Sequence, residues 1–373
     1  MDLKQDSYDR HRGITWWDQK ALSKSNVLVV GAGALGNELV KNLSLVGVGN
    51  ISIVDMDLIE HTNLARCVFF RDGDEGKNKA EVLAKAAHAM NPDVTTHSYS
   101  VPVQKLGDGF ISDFDMIVAG LDNREARIWL GAATRRLGKF WIDGAIEGLM
   151  GKVQTFTPNG SCYACSMTSR EWEIVSKRKS CALLGKEEII SGHTPTNATT
   201  SSIVAGIQSQ EVIKHLVNKI EMSAIQNKVW RFIGDTMDTL MSEVSPDPEC
   251  IYHDEVTEIN EEFELGENLL ELSNQLNLSK DGHISFYNEV VLILRCSECD
   301  DPPKIGFADL MLGQGQCKTC KADREVTTAN RVFIEDEAQS VKITKNFWPL
   351  KFLVHVDDKI SKTVVVKGDK YVG

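Results

Sequence analysis

Six of the nine cysteines fall into three C-x-x-C pairs: Cys162/Cys165, Cys296/Cys299 and Cys317/Cys320. In a reducing compartment such pairs point to metal or redox chemistry rather than to structural disulfides. Cys296/Cys299 and Cys317/Cys320 stand at zinc-ribbon spacing. Two such knuckles on strand ends bring four thiolates to one tetrahedral ion and leave no coordination position open, so this zinc is expected to be structural. Of the remaining three, Cys67, Cys181 and Cys250, Cys181 follows Lys177-Arg178-Lys179. Those cations should lower its pKa and raise its thiolate fraction, as a nucleophile requires.

A second chemistry lies upstream. The apolar run Val27–Val30 leads into Gly31-Ala32-Gly33-Ala34-Leu35-Gly36, and a helical stretch is followed by Ile51-Ser52-Ile53-Val54-Asp55. This is a nucleotide-binding βαβ pattern. Gly31, Gly33 and Gly36 let the backbone approach phosphates, and the helix N-terminus directs free N–H groups at them. Asp55 lies about twenty residues past the turn, where a carboxylate reaches a ribose hydroxyl.

The elements that must position these groups can be read from periodicity. Helices are predicted over 36–46 and 80–90, the first followed by Gly47 and the second ended by Asn91-Pro92. Strands are predicted at 116–119 and 140–143. The alternation implies an α/β fold, a Rossmann-like, mostly parallel sheet with flanking helices. Residues 166–200 read as an irregular crossover, followed by a buried helix over 203–216 and a strand at 229–232. An acidic linker is expected near 254–264. Beyond it come a helix, a strand at 289–295, and a final hairpin at 350–356 and 362–366. We expect three parts: 1–254, a helix plus zinc-ribbon module at 255–345, and a hairpin tail at 346–373.

With 373 residues and 42% hydrophobic content, the chain can bury a sizeable core in two or three units. A net charge of −12 argues against nucleic acid as the main ligand. The polar start Met1-Asp2-Leu3-Lys4-Gln5-Asp6 is unlike a signal peptide, and no apolar run approaches the length of a membrane span. The expectation is a cytoplasmic protein that does not engage membranes.

Further motifs surround the glycine turn: Asp57 to Arg66, including Asn63-Leu64-Ala65-Arg66; Gly76-Lys77-Asn78-Lys79-Ala80; Asp122-Asn123-Arg124-Glu125-Ala126-Arg127; and Tyr8-Asp9-Arg10 upstream. Together they resemble the ThiF/MoeB/E1-like adenylating family, the domain shared by ubiquitin-activating E1 enzymes and the bacterial enzymes that activate sulfur carriers for thiamine and molybdopterin synthesis. The resemblance covers residues 8 to about 254. The ribbon would be an added C-terminal module.

The resemblance implies ATP-dependent adenylation of the C-terminal glycine of a ubiquitin-like β-grasp protein. Such a catalyst holds Mg²⁺ and spreads positive charge over the phosphates. By resemblance, Asp55 binds ribose with Asp57 in support, Asn63, Arg66 and Lys79 contact phosphates, and Asp122 beside Asn123 holds Mg²⁺. Arg10 matches an arginine that reaches the partner's site in homodimeric relatives, which implies a homodimer. Cys181 matches the thioester- or persulfide-forming cysteine, passing the carrier to an E2-like protein or a sulfur-transfer partner. Cys162 and Cys165 match half of the family's zinc site. Its second half would be Cys250 and His253, with histidine in place of the usual cysteine; the alternative is closure by a later cysteine pair. Two residues depart from the pattern: Cys67 stands where the family has Gln, and Ala182 where ubiquitin-type enzymes have Thr.

Two other readings compete with this one. An NAD-dependent dehydrogenase needs a hydride-transfer site, and no His/Asp or Lys/Tyr arrangement is placed for one. A non-catalytic scaffold for ubiquitin-like proteins is opposed by the set Arg10, Asp57, Arg66, Lys79 and Asp122.

Overall fold

The computed structural model describes residues 7–173, 175, 195–253, 257–359 and 361–368. The first sheet holds β1 (Asn26–Val30), β2 (Asn50–Val54), β3 (Thr95–Tyr99), β4 (Met116–Ala119) and β5 (Trp141–Glu147). They pair in parallel, in the order β3-β2-β1-β4-β5. Apolar runs make the central strands β1, β2 and β4 buried on both faces, while the edge strand β3 is polar and nowhere fully buried. An antiparallel meander continues the sheet to eight strands: β6 (Met150–Phe156), β7 (Lys228–Ile233) and β8 (Asp238–Glu243).

The period of two sends alternate strand residues to different cores. Val27 and Val29 join the helices α2 (Ala34–Leu45), α3 (Lys79–Met90) and α7 (Ala198–Leu216). Leu28 and Val30 join α4 (Val103–Leu106), α5 (Asp108–Ile111) and α6 (Arg124–Arg136) on the other face. Helix starts follow the side-chain chemistry of asparagine. Asn78 caps α3, accepting from Ala80 N at 2.9 Å; Asn123 caps α6 through Ala126 N at 2.7 Å; Asn197 caps α7 through Thr200 N at 2.8 Å. No helix among the described residues is long and apolar enough to cross a membrane.

The second unit has its own sheet and core. Its strands are β9 (Ile259–Glu264), β10 (His283–Arg295), β11 (Lys304–Phe307), β12 (Glu325–Phe333), β13 (Lys351–Asp357) and β14 (Lys362–Lys367). They run in the order β11-β10-β13-β14-β9, with β12 also paired to β10. Helix α8 (Leu269–Gln275) packs Leu269 and Leu272 into a core with Phe286, Phe307, Trp348 and Phe352. Each such side chain contributes on the order of 2 kcal/mol by leaving water.

Two features differ from the sequence reading. Half of the expected acidic linker is strand β9, because Lys362 pairs with Glu261 at 2.7 Å and Lys351 and Lys367 both reach Glu262. The hairpin read as a tail lies inside the sheet, between β10 and β9, since Phe352, Val354, Val364 and Val366 belong to the core.

The two units meet at α4, α5 and the end of α6. Asp108, fully buried, accepts from Arg136 Nη1 at 2.7 Å, Leu353 N at 2.8 Å and Gly109 N at 3.0 Å. The Arg136 guanidinium lies 4.1 Å from the Tyr287 ring centroid. Gly107 holds φ +84°, and a Cβ there would come 2.3 Å from Lys351 O, so the backbones touch directly.

Candidate nucleotide site and cysteine centres

The turn after β1 is shaped by close backbone approach. Gly31 has φ +98°, and a Cβ on it would lie 2.5 Å from Gly120 O; one on Gly36 would lie 1.9 Å from Gly31 O. Only glycine fits either place. Gly33 differs: nothing lies within 4 Å of its Cβ position, and it is the N-cap of α2 with no side chain to cap it. A twelve-residue helix thus begins with no side chain capping its first N–H groups, which is the electrostatic setting for phosphate.

Asp55 closes the turn from the end of β2. Its Oδ2 accepts from Ala32 N at 2.7 Å and its Oδ1 from Asp57 N at 2.8 Å. Burial pushes its pKa up, against those two bonds and the charge of Lys79. Lys79 Nζ stands 3.0 Å from Asp57 Oδ2. Burial pulls the Lys79 pKa down, but Asp55, Asp57 and Asp122 together carry it above its usual value. The four groups thus share one field at the open end of α2. Asp122 is itself exposed, on the turn after β4.

The other expected residues take these positions. Asn63 is buried in the turn His61–Asn63, and its Oδ1 accepts from Glu60 N at 3.0 Å. Arg66 donates to Thr196 Oγ1, next to the cap of α7. The side-chain oxygen of Asn123 is engaged in capping α6. Cys67 is buried, with a thiol pKa pushed up to about 11 by burial, the setting of an inert thiol. Cys181 lies outside the described residues.

Arg10 is exposed at the opposite end of α2. Tyr8, two residues before it, accepts from Asn91 Nδ2 at 2.8 Å and packs where a Cβ on Gly47 would come within 2.7 Å. Gly47 follows the C-terminus of α2 and Gly33 caps its start, so about 18 Å of helix separates Arg10 from the phosphate end.

The sequence reading gave no role to the neighbours of this site on β5 and β6. Arg127 Nε lies 2.9 Å from both oxygens of Asp143, and both residues are buried. The same guanidinium donates to Leu121 O, the residue before Asp122, and to Gly144 O at 3.2 Å. Burial raises the Asp143 pKa against the pull of Arg127 and Lys152. The available signal was a carboxylate ending the apolar strand Trp141-Ile142-Asp143.

Both cysteine centres are assembled. Cys162 Sγ lies 3.7 Å from Cys165 Sγ and 3.6 Å from Cys250 Sγ, and Cys165 Sγ lies 3.1 Å from His253 Nε2. In the second centre the Cys296–Cys320, Cys296–Cys299 and Cys299–Cys317 sulfurs are 3.4, 3.5 and 3.5 Å apart. Four ligands around zinc place sulfurs about 3.8 Å from one another, given Zn–S near 2.3 Å. In each group all four ligand atoms lie within 4.8 Å of one another. Both groups can therefore hold zinc, one as Cys₃His and one as Cys₄.

Comparison with known proteins follows the same outline. The ThiF family model matches residues 8–251. The SAMP-activating enzyme E1 of Haloferax volcanii is 31% identical over 262 residues, covering 67% of this chain and 90% of that protein. The Nedd8-activating enzyme E1 catalytic subunit of Drosophila melanogaster is 33% identical over 159 residues, and the chain spans only 35% of its length. Among solved structures, E. coli MccB with ATP superposes with a TM-score of 0.56 at 20% identity, over 68% of this chain and 75% of that one, a likeness of fold. The glycine turn, the carboxylate–lysine field at its mouth and the matching family model lead to one conclusion: this chain belongs to the ThiF family, with E1 activating enzymes among its relatives.

Proposed function

We propose that the protein adenylates the C-terminal glycine carboxylate of a small ubiquitin-like β-grasp protein with ATP, and then transfers the acyl group to Cys181. The observation that carries this reading is the shared field of Asp55, Asp57, Lys79 and Asp122 at the open N-terminus of α2. A carboxylate oxygen forms a bond to the α-phosphorus, the bond to the bridging oxygen breaks, and pyrophosphate leaves with the electron pair. Lys79 and the amides of α2 would offset the phosphate charge; Asn63 and Arg66 would add contacts from the turn beside them. Asp55 would take the ribose. Exposed Asp122 would hold Mg²⁺, which neutralises phosphate charge when bound.

Arg10 supports a homodimer. At the far end of α2 it lies beyond reach of its own phosphate site, so a part in nucleotide binding needs a second copy. The zinc centres would be structural, since no ligand position is open in either. The acceptor would be an E2-like protein or a sulfur-transfer partner, with cytoplasmic residence.

The test is ATP–pyrophosphate exchange with a panel of β-grasp proteins ending in glycine. Exchange with one of them supports carboxylate adenylation and identifies the carrier. Absence of exchange with every member, or NAD binding without ATP binding, overturns the reading. Asp122→Ala should abolish exchange with an unchanged melting temperature. Cys181→Ala should spare exchange and remove any reducible thioester.

A further inference from the structure

Lys152 on β6 is a cation to which the proposed chemistry gives no role. It pairs across the sheet with Ala145 of β5 and Arg231 of β7. Its amine is half-buried, 5.8 Å from the centroid of the Tyr163 ring; the Arg127 guanidinium lies at the same distance from that ring. Among the described residues the amine has no hydrogen bond and no ion pair. The nearest candidate, Asp143, is already engaged at both oxygens by Arg127. Arg231 is held by Ser242 Oγ at 2.6 Å, and Arg124 by Glu171 at 3.0 Å.

The charges around Lys152 do not balance. Among the described residues, Arg124, Arg127, Arg231 and Lys152 share their surroundings with Asp122, Asp143 and Glu171, so cations outnumber carboxylates in a chain whose net charge is −12. A half-buried cation without a counter-ion is costly unless an anion arrives to complete it. Burial, followed by Arg127 and Arg231, already draws the amine below its usual pKa, against the pull of Asp143 and Glu171. The patch adjoins the turn that carries Asp122: Arg127, in the same field, holds Leu121 O, and Asp122 is the next residue.

We infer that Lys152 receives the carboxylate terminus of the protein substrate and holds it beside the phosphate site before adenylation. This rests on the reading above and adds a specific residue to it. A carboxylate approaching a triphosphate meets like charge, and Lys152 offsets that repulsion on the approach side. When the carboxylate oxygen bonds to the α-phosphorus and pyrophosphate leaves, the carboxylate charge is gone. The attraction of Lys152 for the acyl group ends at that moment, which favours release of the acyl group toward a thiol.

The experiment uses a synthetic peptide ending in Gly-Gly with a free carboxylate, and its C-terminal amide. Each is titrated against the full chain with Mg²⁺ and a non-hydrolysable ATP analogue. The wild-type protein should bind the acid about tenfold tighter than the amide, the scale of one charge-assisted contact. Lys152→Gln should reduce that preference below about twofold, Lys152→Arg should keep it, and affinity for the ATP analogue should not change. Acylation of the Lys152 amine by acetic anhydride, read by mass spectrometry, should be blocked by the acid and not by the amide. Equal acid preference in the wild type and Lys152→Gln overturns the role of Lys152 and leaves carboxylate activation standing. No acid preference in the wild type overturns both.

Discussion

Helix α6 carries a buried guanidinium–carboxylate pair near each end, and the two differ in what surrounds them. Arg136 and Asp108, at the C-terminal end, form a saturated joint. Asp108 accepts from Arg136, Gly109 N and Leu353 N, and the guanidinium lies over Tyr287 of the second unit. Arg127 and Asp143 lie nine residues earlier, about 14 Å along the axis. Their pair is equally buried but stands next to Lys152, whose charge nothing described cancels. One helix thus fixes the second unit with a balanced pair and borders the candidate nucleotide site with an unbalanced one. Balance marks a joint; the residual positive charge marks a place where an anion is expected.

The largest expected effect is at the joint. Arg136→Met leaves Asp108 buried without its partner, and should cost about 3–5 kcal/mol in urea unfolding. A loss under about 1 kcal/mol would break the comparison, since Arg136 would then be no part of what holds the units together. Arg127→Met should destabilise comparably, but in addition reduce pyrophosphate exchange about 100-fold per folded molecule, because it also positions the backbone before Asp122. Equal exchange per folded molecule would make the two pairs alike.

The cysteine centres sharpen the division between the units. Cys165→Ser and Cys317→Ser should each lower bound zinc by one ion per chain, measured by mass spectrometry of the purified protein. Only the first should disturb ATP binding; a loss of ATP binding in Cys317→Ser would mean that the units are coupled beyond the α6 joint.

The smallest effect is expected on the other face of the sheet. His215, in the last turn of α7, lies tilted against Phe140 with ring centroids 4.6 Å apart, and burial, with help from Lys139, lowers its pKa from 6.5 despite Asp115. The unfolded chain therefore binds more protons than the folded one between the lowered value and about 6.5. Stability should fall as pH drops below about 6.5, and His215→Gln should flatten that slope in melts from pH 7.5 to 5. An identical slope in the variant would assign the pH dependence to other groups.

Much of the first unit was legible because its signals are local. The turn Gly31–Gly36 and the carboxylate ending β2 are set by neighbours in sequence. The ribbon cysteines were legible for the same reason, through their spacing. What escaped depends on distant pairing. Glutamates 261 and 262 read as linker because their lysines are some hundred positions away. Lys152 looks like an ordinary surface residue until β5 and β7 close around it. Asp108 and Arg136 look like solvated charges until β13 brings Leu353 N to the carboxylate.

The parallel pairing of β9 with β14 also bears on how the chain reaches its structure. The first strand of the second sheet bonds to its last, Thr363 opposite Ile259 and Lys367 opposite Glu264. During synthesis β9 therefore waits for about a hundred residues before its partner emerges from the ribosome. Contacts of such sequence separation form slowly, and the unpaired edge is exposed meanwhile. Unpaired glutamates on such an edge disfavour its pairing with a like strand, and in the folded sheet lysines 351, 362 and 367 neutralise them in place.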